Sequence, residues 1–323
     1  MTSDAKRAEA WRRLLTGESL TDLSLPKKNG RIDFSGLVLP QPKVLERRNI
    51  PFGKMERYEP NALFQKAKLH DIDFSQSKLD SLSFEESELS NCCFDRCELR
   101  NLRIWASTIR DCTFCDADLR ESGLGLATIE RPLSGKRNRF INVEFAKADL
   151  RNTVYVAAAF EQCSFRFAKL VNILFGTSTF KDCSFEGELR EVRFWRSDLS
   201  VRGFPTDAFP PNEMIDVDFS RATLRDVEFR GLTLDRVRLP NDPDHIILED
   251  FPGVLDRLIS TLTQQQDQTA KILLAYLGAY RKWTVPSARG VLNKQDLAEI
   301  DPSTVDRLLA LLDKFRNKHA SIN

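Results

Sequence analysis

The cysteines are the residues of this chain that come closest, by type and spacing, to a chemical site. Five of the seven fall between residues 92 and 115, namely Cys92, Cys93, Cys97, Cys112 and Cys115. Four thiolates at short intervals are a common ligand set for a structural zinc ion. A zinc site would need several of these side chains to point the same way, so the hypothesis depends on how the backbone runs through this segment.

Catalytic chemistry has less support in the sequence. The three histidines, His70, His245 and His319, stand in no nucleophile or metal-binding motif. The stretch "SGKRNR" around Gly135 and Lys136 lacks the preceding strand and the spaced glycine of a phosphate-binding loop. Carboxylates are frequent, but groups such as "FEESEL" are typical of a solvated surface. We therefore predict no enzyme activity, no catalytic residue and no cofactor.

A period of five residues runs through the segment that holds the cysteines. Large apolar residues recur at each fifth position, and a smaller residue or a modest aliphatic lies two positions before each of them. The large residues are Phe64, Leu69, Phe74, Leu79, Phe84, Leu89, Phe94, Leu99, Ile104, Ile109, Phe114, Leu119, Leu124 and Ile129. The other three positions of each five are mostly polar or charged.

This period fits neither of the regular structures. On an α-helix five residues advance by about 500°, which would scatter the large residues around the cylinder. In a straight strand the side chains alternate between faces, so an odd step would send successive large residues to opposite sides. A chain that turns every fifth residue inward has to bend once in each five. The sequence therefore predicts a coil of short straight sides, each with two inward and three outward residues.

A second period sets the number of sides. In the following stretch residue identities repeat after twenty positions, as in Phe140, Phe160 and Phe180, and again in Cys163 and Cys183. Twenty residues thus form one turn of four sides. Like side chains would stack between turns at the ~4.8 Å spacing of hydrogen-bonded strands. Such a solenoid is stabilised mainly by contacts between adjacent turns.

The fives themselves resemble a known repeat. The segments "CELRN" (97–101), "ADLRE" (117–121), "ADLRN" (148–152), "AKLVN" (168–172) and "ATLRD" (222–226) are similar to the A(D/N)Lxx motif of pentapeptide-repeat proteins. The resemblance covers roughly residues 30 to 240 and implies a right-handed quadrilateral β-helix. The predicted fold class is therefore mainly β, a quadrilateral β-helix solenoid with an N-terminal helix and a C-terminal all-α domain.

The same period assigns a direction to each thiol. Five thiols occupy the small inward position, where a thiol acts as a compact apolar side chain. These are Cys92, Cys97, Cys112, Cys163 and Cys183. Only Cys93 and Cys115 point outward, which is too few for zinc. We predict reduced thiols packed in the core and no metal site.

The chain is expected to have three parts. Residues 1–24 form an N-terminal helix that covers the first coil, residues 25–240 form the β-helix, and residues 241–323 form a helical domain. Apolar spacing such as "FPGVLDRLISTL", with a proline in the first turn, indicates the C-terminal helices.

Breaks in the five-residue period predict inserted loops. The loops are expected at 40–60, 130–139 and 203–215, where prolines or clustered charges replace the pattern. The spacing of eleven between Ile129 and Phe140 indicates one extra residue there. Leu199 is expected to be the last inward residue before the third loop.

Two groups of residues are candidates for partner binding. The first is the basic group Arg131, Lys136, Arg137 and Arg139. It falls at a predicted loop and could hold phosphate or an acidic protein surface. Arg47 and Arg48 form a smaller basic group in the first predicted loop. The second is the aromatic group Tyr276, Tyr280 and Trp283. It belongs to more apolar surface than a small helical domain readily buries, so some of that surface should pack on the last coil near Leu234 and Leu239. A protein partner or a second copy of the chain should cover the rest.

Overall charge and hydropathy narrow the range of partners. Lys and Arg total 48 and Asp and Glu 47, so the net charge of +1 favours neither a polyanion nor a membrane surface. The N-terminus "MTSDAKRAEAWRRLL" lacks the apolar core of a signal peptide, and no apolar run is long enough to span a bilayer. We therefore expect a cytoplasmic protein that does not bind membranes.

Two functions remain open at this point. The first is a non-enzymatic scaffold that binds a protein partner. The resemblance implies the alternative, a DNA mimic that protects or inhibits a type II topoisomerase such as gyrase. Residues 62–240 hold 26 Lys plus Arg and 28 Asp plus Glu, whereas duplex DNA carries one negative charge per about 1.7 Å. Charge therefore favours the scaffold, and direct nucleic-acid binding is not expected.

Overall fold

The computed structural model describes residues 3–50, 53–125, 136–196 and 210–320. It shows a coil of short parallel strands that lies between an N-terminal helix, α1 (Ser3–Thr16), and a C-terminal group of helices. The predicted fold class is confirmed. The strands of the coil are β1 Lys27–Lys28, β2 Arg31–Asp33, β5 Ala62–Gln65, β6 Lys68–His70, β7 Ile72–Asp73, β8 Leu82–Glu85, β9 Glu88–Ser90, β10 Arg103–Trp105, β11 Thr108–Arg110, β12 Arg139–Ile141, β13 Ala159–Glu161, β14 Ser164–Arg166, β15 Leu170–Phe175, β16 Thr179–Lys181, β17 Ser184–Trp195, β18 Val217–Arg225, β19 Glu228–Arg230 and β20 Val237–Arg238, with β3 Val44–Ile50 and β4 Gly53–Tyr58 inserted.

Strand pairing shows that one turn of the coil holds twenty residues. Phe140 pairs with Phe160, and Phe160 with Phe180, all in parallel register. Phe165 pairs with Phe185 in the same way, and the two ring centroids lie 4.7 Å apart in a stacked arrangement. The twenty-residue turn predicted from sequence recurrence is therefore confirmed.

The inward side chains form four columns, and each column lies beneath one outer face of the coil. Face 1 covers Phe64, Phe84, Ile104, Leu124, Tyr155, Phe175, Phe194 and Phe229. Face 2 covers Leu69, Leu89, Ile109, Phe140, Phe160, Phe180 and Met214. Face 3 covers Phe34, Phe74, Phe94, Phe114, Phe145, Phe165, Phe185 and Phe219. Face 4 covers Leu39, Leu79, Leu99, Leu119, Leu150, Leu170, Leu189 and Leu224.

The corners between faces are turned by residues in the left-handed backbone conformation. At nearly every corner the residue two positions after an inward side chain has a positive φ, for example Asn101 (59°), Asp111 (53°) and Asn152 (59°). Asn and Asp are enriched several-fold in this region. The Asn or Asp that ends several of the fives is therefore explained by the corner that it has to turn.

Pairing across the second interruption corrects the sequence-based prediction. Ile109 pairs with Phe140, 31 positions away, which is eleven more than the twenty of one turn. The insertion after Leu124 is thus eleven residues long, whereas one was predicted. Phe140 takes the place assigned to Ile129, which lies outside the described residues.

The third interruption also begins earlier in the chain than the sequence predicted. Lys181 pairs with Ile215, so Met214 lies above Phe180 and is buried there. The sequence assigned that place to Leu199, which lies outside the described residues. The five-residue period could not distinguish an apolar residue of the insertion from an inward residue of the coil, because both fit a spacing of five.

The first interruption is a hairpin, where the sequence predicted a loop. Strands β3 and β4 pair antiparallel, from Val44 opposite Tyr58 to Ile50 opposite Gly53. Prolines and charges in this stretch indicate only that the coil is interrupted. They do not indicate what the inserted residues form.

Helix α1 covers the first turn of the coil, as predicted. The Trp11 ring contacts Phe34, Phe64 and Phe74, with the Phe64 centroid 5.6 Å away in an edge-to-face arrangement. Ala10 belongs to the same buried cluster. The apolar end of the coil is therefore closed by the chain itself.

The last turn is closed by His245 and the residues after it. The Leu224 N–H donates to His245 Nε2 at 3.0 Å, and His245 Nδ1 donates to Asp242 at 2.8 Å. The imidazole thus accepts the hydrogen bond that a further coil would accept through a backbone carbonyl. Because both ring nitrogens are engaged in this way, His245 has a structural role and is no candidate for a general base.

The C-terminal region consists of four helices and one small sheet. The helices are α2 Phe251–Thr263, α3 Gln268–Arg281, α4 Lys294–Ile300 and α5 Ser303–Ala320, and strands β21 His245–Leu248 and β22 Gly290–Asn293 pair antiparallel. Asp250 and Asp267 accept hydrogen bonds from the first turns of α2 and α3. The helices pack around a leucine-rich core of their own. No described helix is long and apolar enough to cross a membrane.

Candidate partner-binding surface

The insertions leave the coil around one face. The β3–β4 hairpin follows Leu39 and lies at the corner between faces 4 and 1. The second and third insertions follow Leu124 and Phe194, so both lie at the corner between faces 1 and 2. In repeat proteins, insertions that gather on one side often mark the binding side.

At the corner between faces 1 and 2, the predicted basic residues Arg137 and Arg139 flank a buried asparagine. Asn138 donates from its side-chain nitrogen to the Leu124 carbonyl at 2.9 Å and accepts from the Ser107 N–H at 3.1 Å. It thereby continues an inward column of small polar side chains and fixes the backbone between the two arginines. Sequence reasoning missed Asn138, although a polar residue at an inward position of the five-residue period is a signal that could have found it.

The two arginines make this corner electropositive. Burial lowers the pKa of Arg137, and the positive charge of Arg139 lowers it further. The Arg137 Nη1 atom is shielded from solvent and has no hydrogen-bond partner. Within the described part of the chain, neither arginine forms a salt bridge. The exposed Arg139 is therefore available to an anion, and the half-buried Arg137 adds positive charge beside it.

A groove of about 320 Å³ opens on face 2 beside these arginines. Strands β12, β13 and β16 form its floor, and their residues Arg139, Ala159 and Thr179 are paired neighbours. Pro210 and Pro211 also line the groove. The coil thus brings these prolines next to residues that lie some seventy positions earlier in the sequence.

The structure shows less about the surroundings of the other predicted basic residues. Lys136 is exposed at the start of the described segment. Arg131 lies outside the described residues. On the hairpin Arg47 is exposed, whereas the side chain of Arg48 is outside the described set. The basic group predicted from sequence is therefore represented in the structure chiefly by Arg137 and Arg139.

Tyr276 and Tyr280 are half-buried, and their role in partner binding stays a prediction. Both rings pack against the core of the helical domain, with centroids 5.1 Å apart. The Tyr276 hydroxyl is shielded from solvent, and burial raises the pKa of both hydroxyls. Only part of each ring is therefore available to a partner.

Trp283 is 36 % exposed but is engaged by the coil. Its ring and that of Trp195 enclose the Arg230 guanidinium, which lies 4.2 Å from the Trp283 centroid and 4.9 Å from the Trp195 centroid. The Trp283 carbonyl accepts a hydrogen bond from the Gly231 N–H at 2.9 Å. Stacking of a cation between aromatic faces is favourable. Trp283 therefore holds the helical domain on the last coil, where part of this apolar surface was expected to pack, and its role in partner binding stays a prediction.

The thiols follow the predicted directions, and one is more buried than expected. All seven cysteines are free; six are buried, including the outward Cys93, and only Cys115 is partly exposed. No three His, Cys, Asp or Glu side chains within the described ranges are grouped so that they could hold a metal ion.

The burial of the thiols leads to a testable prediction. In the native protein we expect one thiol, Cys115, to react detectably with a water-soluble thiol reagent, and all seven to react after unfolding. Burial raises the pKa of Cys115 to about 12, so even this reaction should be slower than that of free cysteine at neutral pH. The variant Cys115→Ser should lose the reactive site. Three or more fast-reacting thiols in the native protein would contradict the inward assignment.

Comparison with known families agrees with the five-residue period. The profile of pentapeptide repeats matches residues 61–101 in eight copies. This segment is the start of the uninterrupted ladder in which every fifth side chain is buried. Residues 61–101 of this chain are therefore pentapeptide repeats.

Solved structures similar to this chain are remote in sequence. HetL, a pentapeptide-repeat protein involved in heterocyst differentiation regulation from the cyanobacterium Nostoc sp. strain PCC 7120, is 14 % identical, with 55 % of this chain and 85 % of HetL covered at a TM-score of 0.27. QnrB1, a plasmid-mediated fluoroquinolone resistance protein, is 17 % identical, with 65 % and 94 % covered at a TM-score of 0.20. A pentapeptide-repeat protein from the Arabidopsis thaliana thylakoid lumen is 16 % identical, with 40 % and 69 % covered at a TM-score of 0.21. No curated protein sequence matches the chain.

Proposed function

We propose that this pentapeptide-repeat protein is a non-enzymatic scaffold that binds a protein partner along face 1 and its corner with face 2. The observation that carries the proposal is the position of the three insertions, all of which leave the coil at a corner of face 1. The insertions thus begin and end at the two borders of face 1. Such a distribution is common where a solenoid presents a binding side.

The closed ends of the coil support a lateral mode of binding. The Trp11 ring covers the first turn, and His245 accepts a backbone hydrogen bond of the last turn from the Leu224 N–H, so the two ends are covered by the chain's own residues at these points. The interior is filled by stacked rings such as Phe94 and Phe114, whose centroids lie 4.8 Å apart. A partner would therefore meet the outer faces, which are rigid because each is bonded in register to its neighbours.

The alternative function, DNA mimicry directed at a type II topoisomerase such as gyrase, has weaker support. Carboxylates on face 4 are neutralised by neighbouring arginines: Asp118 pairs with Arg120 at 2.7 Å and with Arg100 at 2.9 Å, and Asp149 pairs with Arg151 at 2.6 Å. A DNA mimic needs uncompensated negative charge along its length. Paired charge of this kind favours the scaffold.

The proposal is tested by capturing the partner with full-length protein and two matched variants. Val154 on face 1 is 48 % exposed and Val38 on face 4 is 65 % exposed, so Val154→Arg and Val38→Arg make the same change on different sides. Mass spectrometry of proteins bound from the native cell should show a partner that Val154→Arg loses at least about tenfold and that Val38→Arg retains.

Two outcomes would contradict the scaffold proposal. If Val154→Arg and Val38→Arg capture the same partner equally well, face 1 is not the binding side. If the full-length protein protects or inhibits a type II topoisomerase in a supercoiling assay, the alternative function replaces the scaffold. Circular dichroism of both variants should first confirm that the β-rich coil is intact.

A further inference from the structure

We propose that the groove on face 2 binds an acidic segment of the protein partner, with a carboxylate seated between Arg137 and Arg139. This inference rests on the proposed scaffold function and assigns a chemical class to part of the partner. The groove is lined by β12, β13 and β16, by Arg137 and by Pro210 with Pro211.

The need for an anion follows from the state of Arg137. A guanidinium nitrogen that is shielded from water and unpaired is unfavourable, because burial removes its hydration and nothing replaces it. Arg139 adds a second positive charge nearby. A carboxylate between the two arginines would compensate their charge and would accept from the guanidinium nitrogens other than the shielded Nη1 of Arg137.

The backbone that carries the two arginines is held in place before any ligand binds. Asn138 lies between them in the chain, is 1 % exposed and bonds both to the Leu124 carbonyl and to the Ser107 N–H. The ordering of this backbone is therefore part of the folded state and adds no cost on binding. Preorganised groups of this kind bind an incoming charge more tightly than mobile ones.

The floor of the groove indicates what should surround the carboxylate. Ala159 and Thr179 are uncharged and paired on adjacent strands, and the uncharged Ile141 lies beside Glu161. The groove follows face 2 from the level of Phe140 to that of Met214. Three inter-strand spacings of ~4.8 Å separate these levels, so the groove is about 14 Å long. An extended chain advances ~3.3 Å per residue, so about four residues fit along it. An acidic residue followed by small or apolar residues matches this surface.

The other charges of the groove distinguish a peptide from nucleic acid. Lys181 and Glu161 form a salt bridge at 3.6 Å and cancel one another. Glu213 also lines the groove. A continuous polyanion would run over Glu161 and Glu213 and be repelled, whereas a single carboxylate at the arginine end would not.

The test uses the full-length protein and two arrays of pentapeptides. One array carries a single Glu among Val, Leu, Ala and Ser, and the matched array carries Gln in its place. We expect at least about tenfold tighter binding to the best Glu peptides than to their Gln counterparts. The double variant Arg137→Gln/Arg139→Gln should lose this preference, and Arg166→Gln on face 3, where the side chain is exposed, should keep it.

Two results would overturn the inference. The wild-type protein could bind both arrays equally, or the double variant could keep the preference for Glu. Tighter binding of a duplex oligonucleotide than of every Glu peptide would also overturn it, in favour of nucleic acid. If the captured partner still depends on Val154 but is unaffected by the double variant, this inference fails while the scaffold function stands.

A measurement on the free protein checks the premise independently. Because Arg137 lacks a compensating group, Arg137→Met should raise the midpoint of thermal unfolding and at the same time weaken binding to the Glu array. A lower midpoint would show that Arg137 is already compensated in the free protein, which contradicts the inference.

Discussion

Replacement of Phe165 by alanine is expected to lower the free energy of unfolding by about 3 to 5 kcal/mol. Phe165 is fully buried on face 3. Its ring stacks between Phe145 at 5.1 Å and Phe185 at 4.7 Å. A truncated side chain at this point leaves a cavity that the flanking turns cannot fill, because both are held by backbone hydrogen bonds in fixed register. Denaturant unfolding monitored by circular dichroism measures the loss.

The neighbouring residue provides the control for this prediction. Arg166 points outward and is exposed, so Arg166→Ala should change stability by no more than about 0.5 kcal/mol. The two residues are adjacent in sequence, and their side chains point in opposite directions. Equal losses at the two positions would mean that Phe165 does not occupy a packed inward column.

Replacement of Arg225 by alanine is expected to cost about 3 kcal/mol and to loosen the helical domain from the coil. Arg225 lies on β18 and is 6 % exposed. Its guanidinium donates to Asp296 at 2.6 Å and to Gln295 at 3.0 Å, and it forms a salt bridge with Glu299 at 2.6 Å. Burial would lower the pKa of Arg225, but the hydrogen bonds to Glu299 and Asp296 hold it above its usual value. Removing the cation leaves the Asp296 carboxylate without its partner at the junction with α4.

Hydrogen exchange distinguishes this local effect from general destabilisation. In Arg225→Ala the amides of α4 and β22 should exchange faster, while those of β12 and β13 should be unchanged, because coils interact mainly with their nearest neighbours. The exposed pair of Arg236 and Asp216 is the control, and Arg236→Ala should cost less than about 1 kcal/mol. Uniformly faster exchange along the whole chain would show that the helical domain and the coil unfold as one unit.

Tertiary contacts show how the apolar side chains of the helical domain are covered. Trp283 belongs to the surface that was predicted to pack in part on the last coil, and Arg230 and Trp195 hold it there. Tyr276 and Tyr280 belong to the same predicted surface and lie half-buried against the core of the helical domain. The amphipathic pattern indicated the apolar face. It did not indicate which residues contact each side chain, because docking depends on residues far away in the chain.

The four-sided coil was determined by the sequence alone. Its five-residue period leaves one geometry in which every fifth side chain points inward, and recurrence after twenty residues sets four sides per turn. For this reason the directions of Phe165, Cys97 and Cys163 could be predicted without a structure. The corner residues follow from the same period, since each five has to turn once.

Only the tertiary structure decided the lengths of the insertions and the composition of the groove. Periodicity gives the direction of a side chain within one turn, but it does not reveal which turn stacks on which once residues are inserted. Ile129 and Leu199 fit the spacing, yet Phe140 and Met214 pair with the preceding turns. Arg137 lines the same groove as Pro210 and Pro211 for the same reason. Hydrogen bonds between turns set the stacking order. Neighbours on the surface of a solenoid are therefore separated in sequence by whole turns and their insertions.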